Sequence, residues 1–145
     1  MRAKEYLGQI RRYDVLIENK TETVARLREQ ATSITVKSDK VNVKTTARHD
    51  KLEATIAKII DLENGILKDI ERLTELKDEV TRVIDAVNDA DLINILYKRY
   101  VHYEEWTAIA DEMNFSEQHV LRLHGKALQK VQNIINQDAA AKSCE

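Results

Sequence analysis

The chain has 145 residues, no proline, three glycines and one cysteine, with 33% charged and 5% aromatic residues. Few turn-breakers and few aromatics predict long helices with solvated faces and exclude one thick globular core. The net charge of −2 excludes a global basic field, so any attraction to nucleic acid has to come from a local patch.

Apolar residues near the front fall at Tyr6, Ile10, Tyr13, Ile17, Val24, Leu27, Ala31 and Ile34, with Lys20 in the one skipped slot. A second run reads Leu52, Ile56, Ile59, Ile66, Ile70, Leu73, Val80, Ile84 and Val87, interrupted at Glu63 and Lys77. A spacing that alternates four and three marks the seam of supercoiled helices, because each such residue returns to one side of the helix. Residues 32–46, rich in Thr, Ser, Lys and Val, are expected to form a loop with local extended structure; a small β-hairpin around Ser38-Asp39 is the alternative, and Thr46 or Asp50 is the expected cap of the next helix. The front of the chain, residues 1–90, therefore reads as a long antiparallel helical hairpin, a coiled coil. Setting Lys20 against Glu63 places Val24 opposite Ile59, Ile17 opposite Ile66 and Ile10 opposite Leu73. Lys20–Glu63 is then the expected register-fixing pair, the alternative being that Lys20 snorkels to water. Leu7, Leu16, Ile60, Leu67, Leu76 and Val83 flank that seam as a second stripe, which predicts a homodimer built as a four-helix bundle.

The periodicity changes after residue 90. Residues 91–101 predict a helix with Leu92, Ile95, Leu96 and Tyr100 inward, and residues 104–113 a second with Trp106, Ile109, Ala110 and Met113 inward. Asn114 suits the left-handed backbone of a tight turn, and Phe115 anchors it. Ser116 suits the cap of a third helix whose apolar face is Val120, Leu123, Ala127, Leu128, Val131 and Ile134. This all-α arrangement, a hairpin followed by a three-helix helix-turn-helix module over residues 91–137, is what holds one helix in the major groove of DNA. Residues 138–145 are expected to be a disordered tail.

Tyr97-Lys98-Arg99-Tyr100, Trp106 with Ile109-Ala110, Ser116, Val120, and Lys126-Ala127-Leu128 with Lys130 make residues 92–135 similar to region 4 of sigma-70-type factors. With its heptad-rich front half and Ser38-Asp39-Lys40-Val41, the whole chain resembles the late-gene transcriptional regulators of Gram-positive phages and prophages near the ArpU/RinA group. The resemblance implies a cytoplasmic regulator in a bacterial host cell whose third module helix faces DNA bases through Glu117, Gln118, His119, Leu121 and Arg122, with Gly125 and Lys126 further along. Glu117, His119 and Leu121 stand where that family commonly has arginines. Pairing rules assign Arg122 to guanine, Gln118 to adenine and Glu117 to cytosine, and Lys98, Arg99, Lys126 and Lys130 to phosphates. Ser116 joins the DNA-facing set as the cap. Host RNA polymerase is a further implied partner.

Residues 91–137 carry six acids against five bases, so weak intrinsic affinity, raised by multivalency, is expected. Trp106 reads as core. His102, His119 and His124 have no metal-ligand set around them and read as surface or groove-edge residues. Tyr103 is the tyrosine expected to reach phosphate, Tyr100 being buried and Tyr97 partly so. No nucleophile–base pair, phosphate loop or metal cluster is present in the sequence, so no enzyme, cofactor, membrane segment or small-molecule ligand is expected. Two other readings share these features: a DNA-packaging subunit like a small terminase, and a protein-interaction module that does not bind DNA.

Overall fold

The computed structural model describes residues 1–38 and 45–143. These form α1 (Ala3–Ser38), α2 (Thr45–Asp85), α3 (Ala90–Leu96), a π-helical turn (Tyr97–Val101), α4 (Trp106–Met113) and α5 (Glu117–Ser143), with no strand among the described residues. Of residues 32–46, expected as a loop, 32–38 continue α1 and 45–46 open α2; residues 39–44, and with them the alternative hairpin around Ser38-Asp39, lie outside the described residues. Threonine usually weakens a helix because its hydroxyl competes with the backbone. Here the Thr32 and Thr35 hydroxyls donate to the carbonyls of Arg28 and Ala31 one turn back, so the competing group is satisfied within the helix. The expected disordered tail is likewise helical as far as Ser143. Ala139-Ala140-Ala141 supplies the best helix-forming residue three times running.

The described residues divide into two compact units: Met1–Arg12 with Leu73–Glu145, and Tyr13–Arg72. Each of the two long helices contributes to both.

In the unit Tyr13–Arg72, α1 turns Tyr13, Ile17, Lys20, Val24, Leu27, Ala31 and Ile34 inward, all buried or half-buried, as its spacing predicts. On α2 the inward residues are Leu52, Thr55, Ile59, Leu62, Ile66 and Asp69, while Ile56 and Ile70 are each 44% exposed. The α2 seam is therefore displaced by one residue at every second position. The expected Lys20–Glu63 pair does not form. Lys20 Nζ instead meets Asp69 Oδ2 at 2.6 Å, their side chains 29% and 17% exposed. Glu63 falls at the rim, where the longer Arg28 reaches it. Between Lys20–Asp69 and Arg28–Glu63, ascending α1 means descending α2, so the helices are antiparallel.

In the other unit, α1 opens with Ala3, Tyr6, Leu7 and Ile10 buried, and α2 closes with Leu73, Leu76, Val80, Val83, Ile84 and Val87 buried. Leu7, Leu76 and Val83 therefore leave the expected second stripe and are core, in a compact unit that also contains α5 and the module. The Tyr6 phenol, pushed up to about 12 by burial and by its hydrogen bond to the Glu79 carboxylate, stays protonated. Met1-Arg2 offers no side chain suited to cap α1. The cap comes from α5: Gln132 Oε1 accepts from the Ala3 backbone N–H at 2.7 Å, and Gln132 Nε2 donates to the Met1 carbonyl at 3.3 Å.

Candidate nucleic-acid interface

The module starts at a cap. Asn88, with φ 60°, reverses the chain after α2. The Asp89 carboxylate then accepts from the N–H groups of Asp91 and Leu92, starting α3. Leu92, Ile95 and Leu96 are buried in sequence, and the helix widens into a π turn in which His102 N–H donates to the Tyr97 carbonyl at 3.0 Å. The phenol of Tyr97 ties this segment to Asp85 at 3.0 Å.

Ile95, Ile109, Ala110 and Val120 form one buried cluster, with Trp106, Met113, Phe115 and Leu123 packed against it. Ala110 is small where α4 meets α3 and α5. Asn114 sits at φ 57°, ψ 38°, the left-handed turn that its side chain tolerates. Phe115 N–H closes this turn onto the Ala110 carbonyl at 3.0 Å. Ser116 Oγ then accepts from His119 N–H at 3.1 Å, satisfying an amide of the first turn of α5. An N-cap of this kind typically contributes about 1 kcal/mol.

Val120, His124, Ala127 and Val131 form the buried side of α5. Glu117, Gln118, Leu121, Arg122, Gly125, Lys126 and Lys130 lie on the exposed side. Positions 117, 118, 121, 122, 125 and 126 recur at one-turn intervals, so they share a face. Arg122, Lys126 and Lys130 make no ion pair among the described residues. The face thus carries three solvated cations against one acid, on a helix that a packed core holds still. His119 is half-buried, its ring edge-on to Phe115 with centroids 4.8 Å apart, so it supports the turn as well as bordering the face.

Three expectations meet a different geometry. Lys98 is held by Glu112 and lies 3.9 Å from Glu104, and the hydrogen bond it donates to Glu112 raises the ammonium above its usual range. The neighbouring Glu112 carboxylate pushes Glu104 up, while Lys98 pulls Glu112 down. Arg99 stacks over Trp106 at 4.5 Å and donates to the Glu104 carbonyl at 3.0 Å. Both side chains are engaged within the module and lie apart from the open face of α5. His124 is buried at 8% exposure instead of lying at the surface, its Nε2 2.7 Å from the Tyr100 hydroxyl and its ring 4.6 Å from that of Trp106. Burial, and then the charges of Lys4 and Arg99, lower its pKa to about 4.

Among the described residues no group of three or more His, Cys, Asp or Glu could hold a metal ion, and no helix is long and apolar enough to cross a membrane. Comparison with known proteins finds no matching family model, no matching curated protein and no matching solved structure.

Proposed function

We propose that the chain is a sequence-specific duplex-DNA-binding regulator that presents α5 to the major groove. The observation that carries this reading is the division of α5 between a buried face, anchored through Val120 and Ala127, and an open one from Glu117 to Lys130. A base-reading helix needs one side fixed by a core and the other free of it. Arg122 and Gln118 supply the fork and amide that read guanine and adenine edges, and Lys126 and Lys130 supply phosphate contacts. The resemblance to sigma region 4 supports the same orientation, with transcription in a bacterial cytoplasm as the setting and host RNA polymerase as a further partner.

The unit Tyr13–Arg72 adds a reason to expect two copies. Leu16, Ile56, Ile60, Leu67 and Ile70 are between 41% and 65% exposed, and on α2 positions 56, 60, 67 and 70 keep the four-and-three spacing of a second seam. A homodimer doubles the phosphate contacts that a near-neutral module otherwise lacks.

Selection of bound sequences from random duplex DNA tests the proposal. The expected outcome is a defined site for the wild type and a loss of discrimination at one base pair for Arg122→Ala, by about 1–3 kcal/mol. Equal selection by both proteins contradicts it. Light scattering on the same preparation separates regulation from packaging: a dimer fits the first, and a closed ring of many subunits fits the second.

A further inference from the structure

A cavity of about 170 Å³ opens between the first turns of α1 and the segment joining α3 to α4, lined by Lys4, Arg11, Arg99, Tyr100, Tyr103 and Trp106. Gly8 completes the α1 wall, and a Cβ built there would meet nothing within 4 Å. No acid lines the cavity. Lys4 makes no ion pair among the described residues. The Arg11 guanidinium lies over the Tyr103 ring at 5.5 Å and that of Arg99 over Trp106 at 4.5 Å. Arg99 has one further ion pair, at 3.9 Å, with Glu105, whose side chain is 78% exposed. Tyr103 is itself held at φ 59°, a conformation that costs an L residue about 1–2 kcal/mol. Strain of that kind persists only where surrounding structure over-determines it.

Three cations line one aromatic-walled cavity, and a counter-charge among them relieves their mutual repulsion. Arg11, the Arg99 N–H groups not given to the Glu104 carbonyl, and the Lys4 point charge together make a donor set that matches a tetrahedral oxyanion. We infer that this cavity binds a phosphate group, either free or as the monoester of a small molecule. The inference departs from the expectation that the chain has no small-molecule ligand, and none of the lining residues belongs to the open face of α5. An apolar cavity of about 150 Å³ accommodates one benzene ring, so this one admits the anion with at most a single ring of its ester against Tyr103 or Trp106. Occupancy also reaches His124: Lys4 and Arg99 are the charges that help hold the ring neutral, and an anion between them offsets that effect.

Trp106 is the chain's one tryptophan, so its fluorescence reports the cavity wall directly. The intact protein is titrated at constant ionic strength with inorganic phosphate, with ribose 5-phosphate and with ribose. Saturable change with phosphate or the monoester, and none with ribose, is expected. Equal affinity for the two phosphates assigns the site to the free anion, and tighter binding of ribose 5-phosphate assigns it to an ester. Lys4 and Arg11 are exposed, so Lys4→Ala and Arg11→Ala should fold, as circular dichroism checks. Each should weaken binding at least about tenfold, the loss expected for one charge-assisted hydrogen bond, while Lys4→Arg retains it. Lys130→Ala, on the open face of α5, should bind as the wild type does. No saturable signal with either phosphate, or the same weakening by Lys130→Ala as by Lys4→Ala, overturns the inference. Duplex binding measured on the same variants stands or falls separately, on Arg122.

Discussion

His124 is the residue whose environment the linear sequence hides most completely. It stands between Leu123 and Gly125, and its hydrogen-bond partner Tyr100 lies 24 positions away, so nothing local marks it as buried. Asn114 and Ser116 were legible because a left-handed turn and a helix cap are written in the residues that form them. Burial, aided by the charges of Lys4 and Arg99, lowers His124 from the ordinary 6.5 to about 4. As the pH falls through that window, the unfolded chain takes up a proton that the folded one refuses. Stability is therefore complete above pH 6.5 and declines below it, by about 2 kcal/mol at pH 5. Urea unfolding at pH 7 and pH 5 measures this, and His124→Gln should shrink the difference by that amount; an unchanged difference would show that other groups dominate. Lysine 98 is the converse case. Its sequence neighbours suggest a phosphate contact, yet Glu112 and Glu104 already occupy it. Lys98→Ala should leave the salt dependence of duplex binding nearly unchanged, whereas Lys126→Ala should reduce the slope of log K against log salt by about 1.

Among the elements, the inward stripe of α1 was readable, although its last turn and the burial of Leu7 were not, and α2 was readable only in part. The α1 stripe has a single apolar solution, and the fold uses it. Along α2 two apolar tracks overlap, and hydrophobicity alone favours Ile56 and Ile70 over Thr55 and Asp69. The fold takes the less apolar pair, because an ammonium on α1 needs a carboxylate opposite and Asp69 supplies it. Single-chain periodicity cannot register such a requirement, which depends on the facing helix. Removing one partner leaves the other half-buried and uncompensated, so Asp69→Ala should destabilise the chain by about 1–2 kcal/mol. Replacing both residues, as Lys20→Leu with Asp69→Leu, should recover most of that loss. Chemical denaturation of the two single variants and the double variant gives the coupling directly, and additive losses would mean that the pair contributes nothing as a pair. The last turns of α5 stand where a disordered tail is expected, because an alanine triplet continues a helix that already exists.

For the whole molecule, the apolar residues left exposed on the unit Tyr13–Arg72 set the next expectation. Sedimentation should give a dimer, and Ile60→Glu with Leu67→Glu should give a monomer of unchanged helicity, since both side chains are already about half exposed or more; a wild-type monomer would refute the dimer. The domain boundary drawn near residue 90 from the change in periodicity does not match the compact units, because residues 1–12 and 73–145 fold together. Gln132 shows why that was invisible from sequence: it completes a helix that begins 129 positions earlier, at Ala3. Translation adds about 5–20 residues per second, so the opening amide of α1 is made on the order of ten seconds before its acceptor exists. During that interval the buried residues of the first turns, Tyr6, Leu7 and Ile10, lack the part of their compact unit not yet made, and a nascent chain stalled short of residue 132 would display them to any chaperone waiting at the tunnel mouth.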